Sequence, residues 1–109
     1  MITMNKYSDK SDFEINKAVA VAIGKVIGIR PDSNIIYLIG GDELIEFDPC
    51  NNPADAWPII NEYGISLIYQ EREFQFATND GNIECSISNP LKAAMIIFLM
   101  MKDAENEKV

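Results

Sequence analysis

Histidine is absent from this 109-residue chain, cysteine occurs only twice, and no lysine or arginine falls between residues 31 and 71. Without histidine there is no side chain that ordinarily titrates near neutral pH. Every Ser-His or Cys-His nucleophile arrangement and every imidazole-ligated zinc site is excluded with it. Cys50 and Cys85 stand 35 positions apart, a spacing that fits neither a zinc nor a dithiol redox motif; they read as free thiols in a reducing cytosol. Cys50 follows Pro49 beside acids, and nearby negative charge raises a thiol pKa, so a reactive thiolate is not expected there. No long hydrophobic run is present. The longest, Ala93 to Met101, lies between Lys92 and Lys102 and is roughly half the ~20 residues of a membrane span. The polar opening stretch has no apolar segment of a secretory signal, and a cytoplasmic location is expected.

Cations are scarce overall: nine Lys and Arg against seventeen Asp and Glu, a formal net charge of −8. Nucleic-acid binding gains affinity from cations that displace counterions, so such a chain is repelled by phosphate backbones and by anionic membranes. Phosphate-binding loops are missing as well, since Gly40-Gly41 runs into Asp42-Glu43. The Asp-Gly turn at 79–82 lacks calcium-loop spacing. No catalytic residue, metal ligand or cofactor is assigned. Only chemistry built on carboxylates alone, or on carboxylates with a divalent metal, stays formally open.

What is present is enough for one α+β domain: 48% hydrophobic residues in a chain of single-domain length. Ser11 followed by Glu14 is a capping box, and Ile15, Ala18, Val19, Ala22 and Ile23 share one helical face; a helix is expected over 11–24, ended by Gly24. Residues 25–30, 34–39 and 44–47 read as strands, with Pro31-Asp32-Ser33 and Gly40-Gly41-Asp42 as turns. Asn52-Pro53 and Asn89-Pro90 each signal a capped helix start. In the first of these helices Ala54, Trp57, Ile60 and Tyr63 are expected to form the buried stripe; exposed, Trp57 would instead be a binding anchor. Pro58 requires either a kink or a helix that begins nearer Asp55. Residues 65–69, 74–76 and 83–87 supply three more strands, and the last helix spans 90–103 and is the most buried. The expected fold is a mixed or antiparallel sheet of about five to six strands with three helices packed on it. Flexible tails are expected at 1–10 and 104–109.

The distribution of charge is the most distinctive feature. Residues 1–30 carry net +2, residues 72–109 carry net −2, and the segment 31–71 holds eight acids and no cation. Asp42, Glu43, Glu46, Asp48 and Asp55 are the candidate partner-binding residues, an acidic patch for a basic protein. A DNA mimic that blocks a nucleic-acid-binding protein is the alternative use of the same charge. Asp55 has a plainer role available, at a helix N-terminus that favours anions. The strand at 44–47, as a sheet edge, could also pair with a second copy in a homodimer.

Three stretches carry a family likeness: Ser11–Ala20, Cys50–Ile60 (Cys-Asn-Asn-Pro-Ala-Asp-Ala-Trp-Pro-Ile-Ile) and Asn89–Ile96. In this order the chain resembles the NinX-like proteins of lambdoid phages and enterobacterial prophages, and the wider group of small phage α-β-α sandwich domains. The segment between Lys25 and Phe47 shares none of the likeness. The resemblance implies a phage or prophage accessory protein acting in the bacterial cytoplasm with an unidentified host or phage protein. It brings no catalytic residues.

Overall fold

The computed structural model describes residues 6–30 and 32–107. Helix α1 (Asp12–Ala22) begins as its sequence dictates: the Glu14 amide donates to Ser11 Oγ at 3.1 Å, and the Ser11 amide donates to Glu14 Oε1 at 3.3 Å. Gly24 takes a φ of +77°, the left-handed turn that lets the Lys25 amide reach back to the Ala20 carbonyl and close the helix. Strands β1 (Ile27–Arg30), β2 (Ile35–Gly40) and β3 (Glu43–Phe47) follow. Of the first expected turn, Pro31 lies outside the described residues, and Asn34 completes the reversal with a φ of +55°.

Helix α2 (Pro53–Tyr63) starts at Pro53, with the Asn52 side chain accepting from the Ala54 amide at 3.0 Å. Pro58 therefore sits inside the helix, and the start nearer Asp55 is not adopted. The proline leaves the Ala54 carbonyl without its helical donor, at a residue exposed to water that can replace it. The buried stripe of α2 is Ala56, Ile59 and Ile60, with Tyr63 packed beside them. This corrects the expected stripe: Ala54 is exposed and Trp57 is 53% exposed. Positions 56, 59, 60 and 63 follow the i, i+3, i+4, i+7 rule, whereas 54, 57 and 60 drift off the face by successive steps of three.

Strands β4 (Ser66–Gln70), β5 (Glu73–Asn79) and β6 (Ile83–Cys85) come next, then α3 (Pro90–Glu107). The helix continues to Glu107, past the end expected at 103. At the other terminus Lys6–Asp9 form turns, and the Tyr7 hydroxyl donates to Asp103 of α3.

The six strands do not make one sheet. They form two antiparallel three-stranded meanders, in the orders β1-β2-β3 and β4-β5-β6. This corrects the single sheet expected from periodicity, which locates strands but carries no record of which edges meet. The first sheet packs on α1, and the second packs on α3. Helix α3 also contacts α1 and α2, so it lies at the centre of the molecule. Ala93 through Leu99 are all buried, and Phe98 stacks edge-on against Tyr63 with centroids 4.9 Å apart. Burying large side chains such as Phe98, Ile96 and Ile97 contributes about 1.5–3 kcal/mol apiece. Among the described residues no helix is long and apolar enough to cross a membrane.

Candidate functional site

Two polar regions divide the candidate acids between them. The first is a knot where α1, the β3–α2 loop and the start of α3 meet. Asn16, 5% exposed, accepts from the Cys50 amide at 3.0 Å through Oδ1 and donates to Asp48 Oδ1 at 2.7 Å through Nδ2. Asn51 Nδ2 donates to Asp12 Oδ2 at 3.0 Å and to Asp48 Oδ1 at 3.2 Å. The Asp48 amide donates to Asp55 Oδ2 at 2.9 Å, which ties the loop to the first turn of α2. Asn89 accepts from the Leu91 and Lys92 amides to cap α3, while its Nδ2 donates to the Cys50 carbonyl at 2.7 Å. Lys92 closes the ring with an ion pair to Asp12 at 3.0 Å.

These contacts set the chemistry of the knot. The Asn51 hydrogen bond, helped by Lys92, holds the Asp12 carboxyl below its ordinary pKa. Burial, aided by Asp12 and Asp48, pushes the Cys50 thiol up to about 12, and burial raises Cys85 as well. Both thiols are free and inert as nucleophiles at neutral pH. The sequence pointed to the acids beside Cys50, but burial is the larger cause. A cleft of about 380 Å³ opens beside the knot, lined by Asp12, Asn16, Asn34, Glu46 and Asp48 among others. None of its carboxylates is fully buried, and among the described residues no group of three or more His, Cys, Asp or Glu side chains could hold a metal ion.

The second region is the outer end of the β1–β3 sheet. Registers Ile27↔Leu38↔Ile45 and Ile29↔Ile36↔Phe47 place those residues on one face. That face buries Ile36 and Phe47 against the core, yet Ile45 at its outer end is 51% exposed. The opposite face carries Tyr37 opposite Glu46 and Ile39 opposite Leu44. Ile39 lies over Gly28, where an added Cβ would stand 3.6 Å from its Cδ1. Leu44 is 62% exposed there. Every residue of β3 before Phe47 is exposed, on both faces.

Asp42 and Glu43 occupy the β2–β3 turn and the start of β3, and Glu46 follows on the same strand. Among the described residues none of these three takes part in an ion pair; the four that form are Lys6–Asp103, Lys10–Glu14, Lys92–Asp12 and Lys102–Glu105. The five candidate acids are therefore not one patch. Asp42, Glu43 and Glu46 share an exposed hairpin, Asp48 and Asp55 are engaged in the knot, and Glu46 also faces the cleft that Asp48 lines. Glu43 and Glu46 lean to opposite faces of the sheet, as their odd and even positions require. Sequence reasoning did not pick out the exposed apolar residues Ile39, Leu44 and Ile45 beside the acids. The continuous apolar run 35–39 suits the central strand that it forms, and nothing in it signals that its outer end lies bare.

A wider groove of about 710 Å³ runs between α1 and α3, with Lys10, Lys17 and Lys102 beside Ala18, Val21 and Leu99. Glu14 and Asp103 line it as well, and Lys10 is paired with Glu14.

The three stretches that carry the family likeness all converge on the knot: Asp12 and Asn16 from the first, Cys50, Asn51, Asn52 and Asp55 from the second, Asn89 and Lys92 from the third. Neither a search of curated proteins nor one of solved structures finds a match to the chain. Comparison with protein families does: residues 6–102 match the family described as Bacteriophage P22, NinX, and with almost the whole chain matched the protein belongs to that family.

Proposed function

We propose that this chain is a non-enzymatic phage accessory protein that docks a basic host or phage protein in the bacterial cytoplasm through the outer end of its β1–β3 sheet. One observation carries the reading: exposed apolar side chains and unpaired carboxylates occur together on a single hairpin. Leu44 and Ile45 are more than half exposed, and Asp42, Glu43 and Glu46 flank them without forming an ion pair among the described residues. Scattered exposed apolar residues need no explanation, but Ile39 and Leu44 are direct cross-strand neighbours and form a contiguous surface. An apolar centre with a charged rim is the ordinary composition of an interface, and the charge selects partners of opposite sign. The acids do not serve a phosphate-like row, because Glu43 and Glu46 diverge and Asp48 and Asp55 are held in the knot.

The test is affinity capture from phage-infected cells with the native chain and the D42K/E43K/E46K variant side by side, with thermal unfolding showing that both are folded. A protein recovered by the native chain and lost by the variant is the expected result. Equal recovery by both removes the acidic hairpin from the interface.

A further inference from the structure

The divergence of Glu43 and Glu46 restricts how a partner can engage this hairpin. A partner lying on one face of the sheet meets Leu44 and Glu46, or Glu43 and Ile45, but not all four. Only the edge of β3 presents all four at once. That edge is open: β3 pairs with β2 alone, and among the described residues no other backbone hydrogen bond reaches it. An added strand sets its side chains opposite those of β3 on both faces, in register. From this we infer, resting on the reading above, that the partner supplies an extended segment that joins β3 as a fourth strand. Its pattern opposite residues 43 to 46 is basic, apolar, apolar, basic.

The charges also decide against a second copy of this chain. Antiparallel self-pairing through this edge sets only residues of the same face opposite each other: about Leu44 it pairs Leu44 with Leu44 of the other copy but sets Glu43 opposite Ile45 and Asp42 opposite Glu46 twice, and like charges directly opposite are destabilising. Self-pairing about Ile45 separates the acids but sets Leu44 opposite Glu46. Neither register gives each apolar side chain an apolar partner and each acid a cation, whereas an incoming strand with cations opposite the acids does both. The other edge of this sheet, β1, has Gly28 and Arg30 and packs on α1, so it offers no equivalent.

The probe is a short acetylated and amidated peptide with a Lys-Val-Val-Lys core, titrated into the isotopically labelled full chain while backbone amide shifts and hydrogen exchange are followed. Saturable binding with slowed exchange within residues 43–47 is expected. Because alternate amides of an added strand face the edge, N-methylation at one of two successive core residues should weaken binding by about tenfold or more, and at its neighbour hardly at all. The E43K/E46K variant should bind about tenfold more weakly, and a Val-Lys-Lys-Val core should bind more weakly than Lys-Val-Val-Lys. Equal tolerance of N-methylation at both positions, with binding still sensitive to charge, overturns strand addition and leaves side-chain docking. No binding at millimolar peptide also overturns it, and the capture experiment then judges the broader reading alone. Protection of β3 that grows with protein concentration in the absence of peptide would assign the edge to a second copy.

Discussion

Replacing Asn16 with alanine isolates the interaction that fastens the β3–α2 loop to α1. The side chain is 5% exposed and makes two bonds, one from the Cys50 amide and one to the Asp48 carboxylate. Cys50 is wholly buried, so in N16A its amide loses its acceptor where water does not readily replace it, at a cost of about 1–3 kcal/mol. The bond to Asp48 is charge-assisted. Because Asp48 is partly exposed and keeps its bonds from Asn51, its loss belongs near the lower end, about 1 kcal/mol. Alanine returns about half a kcal/mol through its better helix propensity. The net is about 2–3 kcal/mol, a large part of the ~5–15 kcal/mol that holds a small domain folded. Urea unfolding at pH 7 should show the midpoint falling by about 1 M or more with an unchanged slope. The N16D variant keeps the acceptor for Cys50 but sets a second carboxylate against Asp48. It should be destabilised at pH 7 and regain stability relative to the native chain as the pH is lowered and the introduced carboxyl takes up a proton. An unfolding free energy of N16A within about 0.5 kcal/mol of the native value would refute the knot as a structural fastening.

Three further outcomes follow from the same geometry. The depressed pKa of Asp12 gives stability that is present above the unfolded carboxyl value near ~3.9 and is lost as the pH falls through the lower folded value. The cost of D12N, about 0.5–1 kcal/mol for this partly exposed group, should therefore appear at pH 7 and vanish near pH 2 in paired denaturation curves. Cys50, its thiol pushed up to about 12, should resist iodoacetamide at pH 8 until denaturant is added, as mass spectrometry of timed samples would register. Trp57, the only tryptophan, should emit at long wavelength and be readily quenched by acrylamide in the folded protein, and W57A should cost less than about 1 kcal/mol, since the ring is 53% exposed.

Local chemistry made the helix starts legible. Ser11 with Glu14, Asn52 with Pro53 and Asn89 with Pro90 satisfy backbone donors within a few residues, so their meaning does not depend on the rest of the chain. The same holds for Gly24 and for the 79–82 hairpin, where Asp80 and Gly81 both take positive φ. Long-range matters were not legible. Whether β3 meets β4 depends on how α2 returns the chain, which no window of residues records. Trp57 misled because steps of three look helical over a short stretch but walk around the axis. The candidate site divided for a similar reason. Asp48 and Asp55 are as acidic in sequence as Asp42 and Glu43, but Asp48 is drawn into the knot by Asn16 from 32 positions away, and Asp55 is tied in through the Asp48 amide.

In this protein β3 is the proposed contact strand and the knot is its support. Hydrogen exchange of the full chain bound to the partner recovered by capture tests this most directly. Slowed amides concentrated at Glu43–Phe47, with the α1–α3 groove unchanged, is the predicted footprint. Protection centred on Lys10, Lys17 and Lys102, with β3 exchanging as in the free protein, would contradict it.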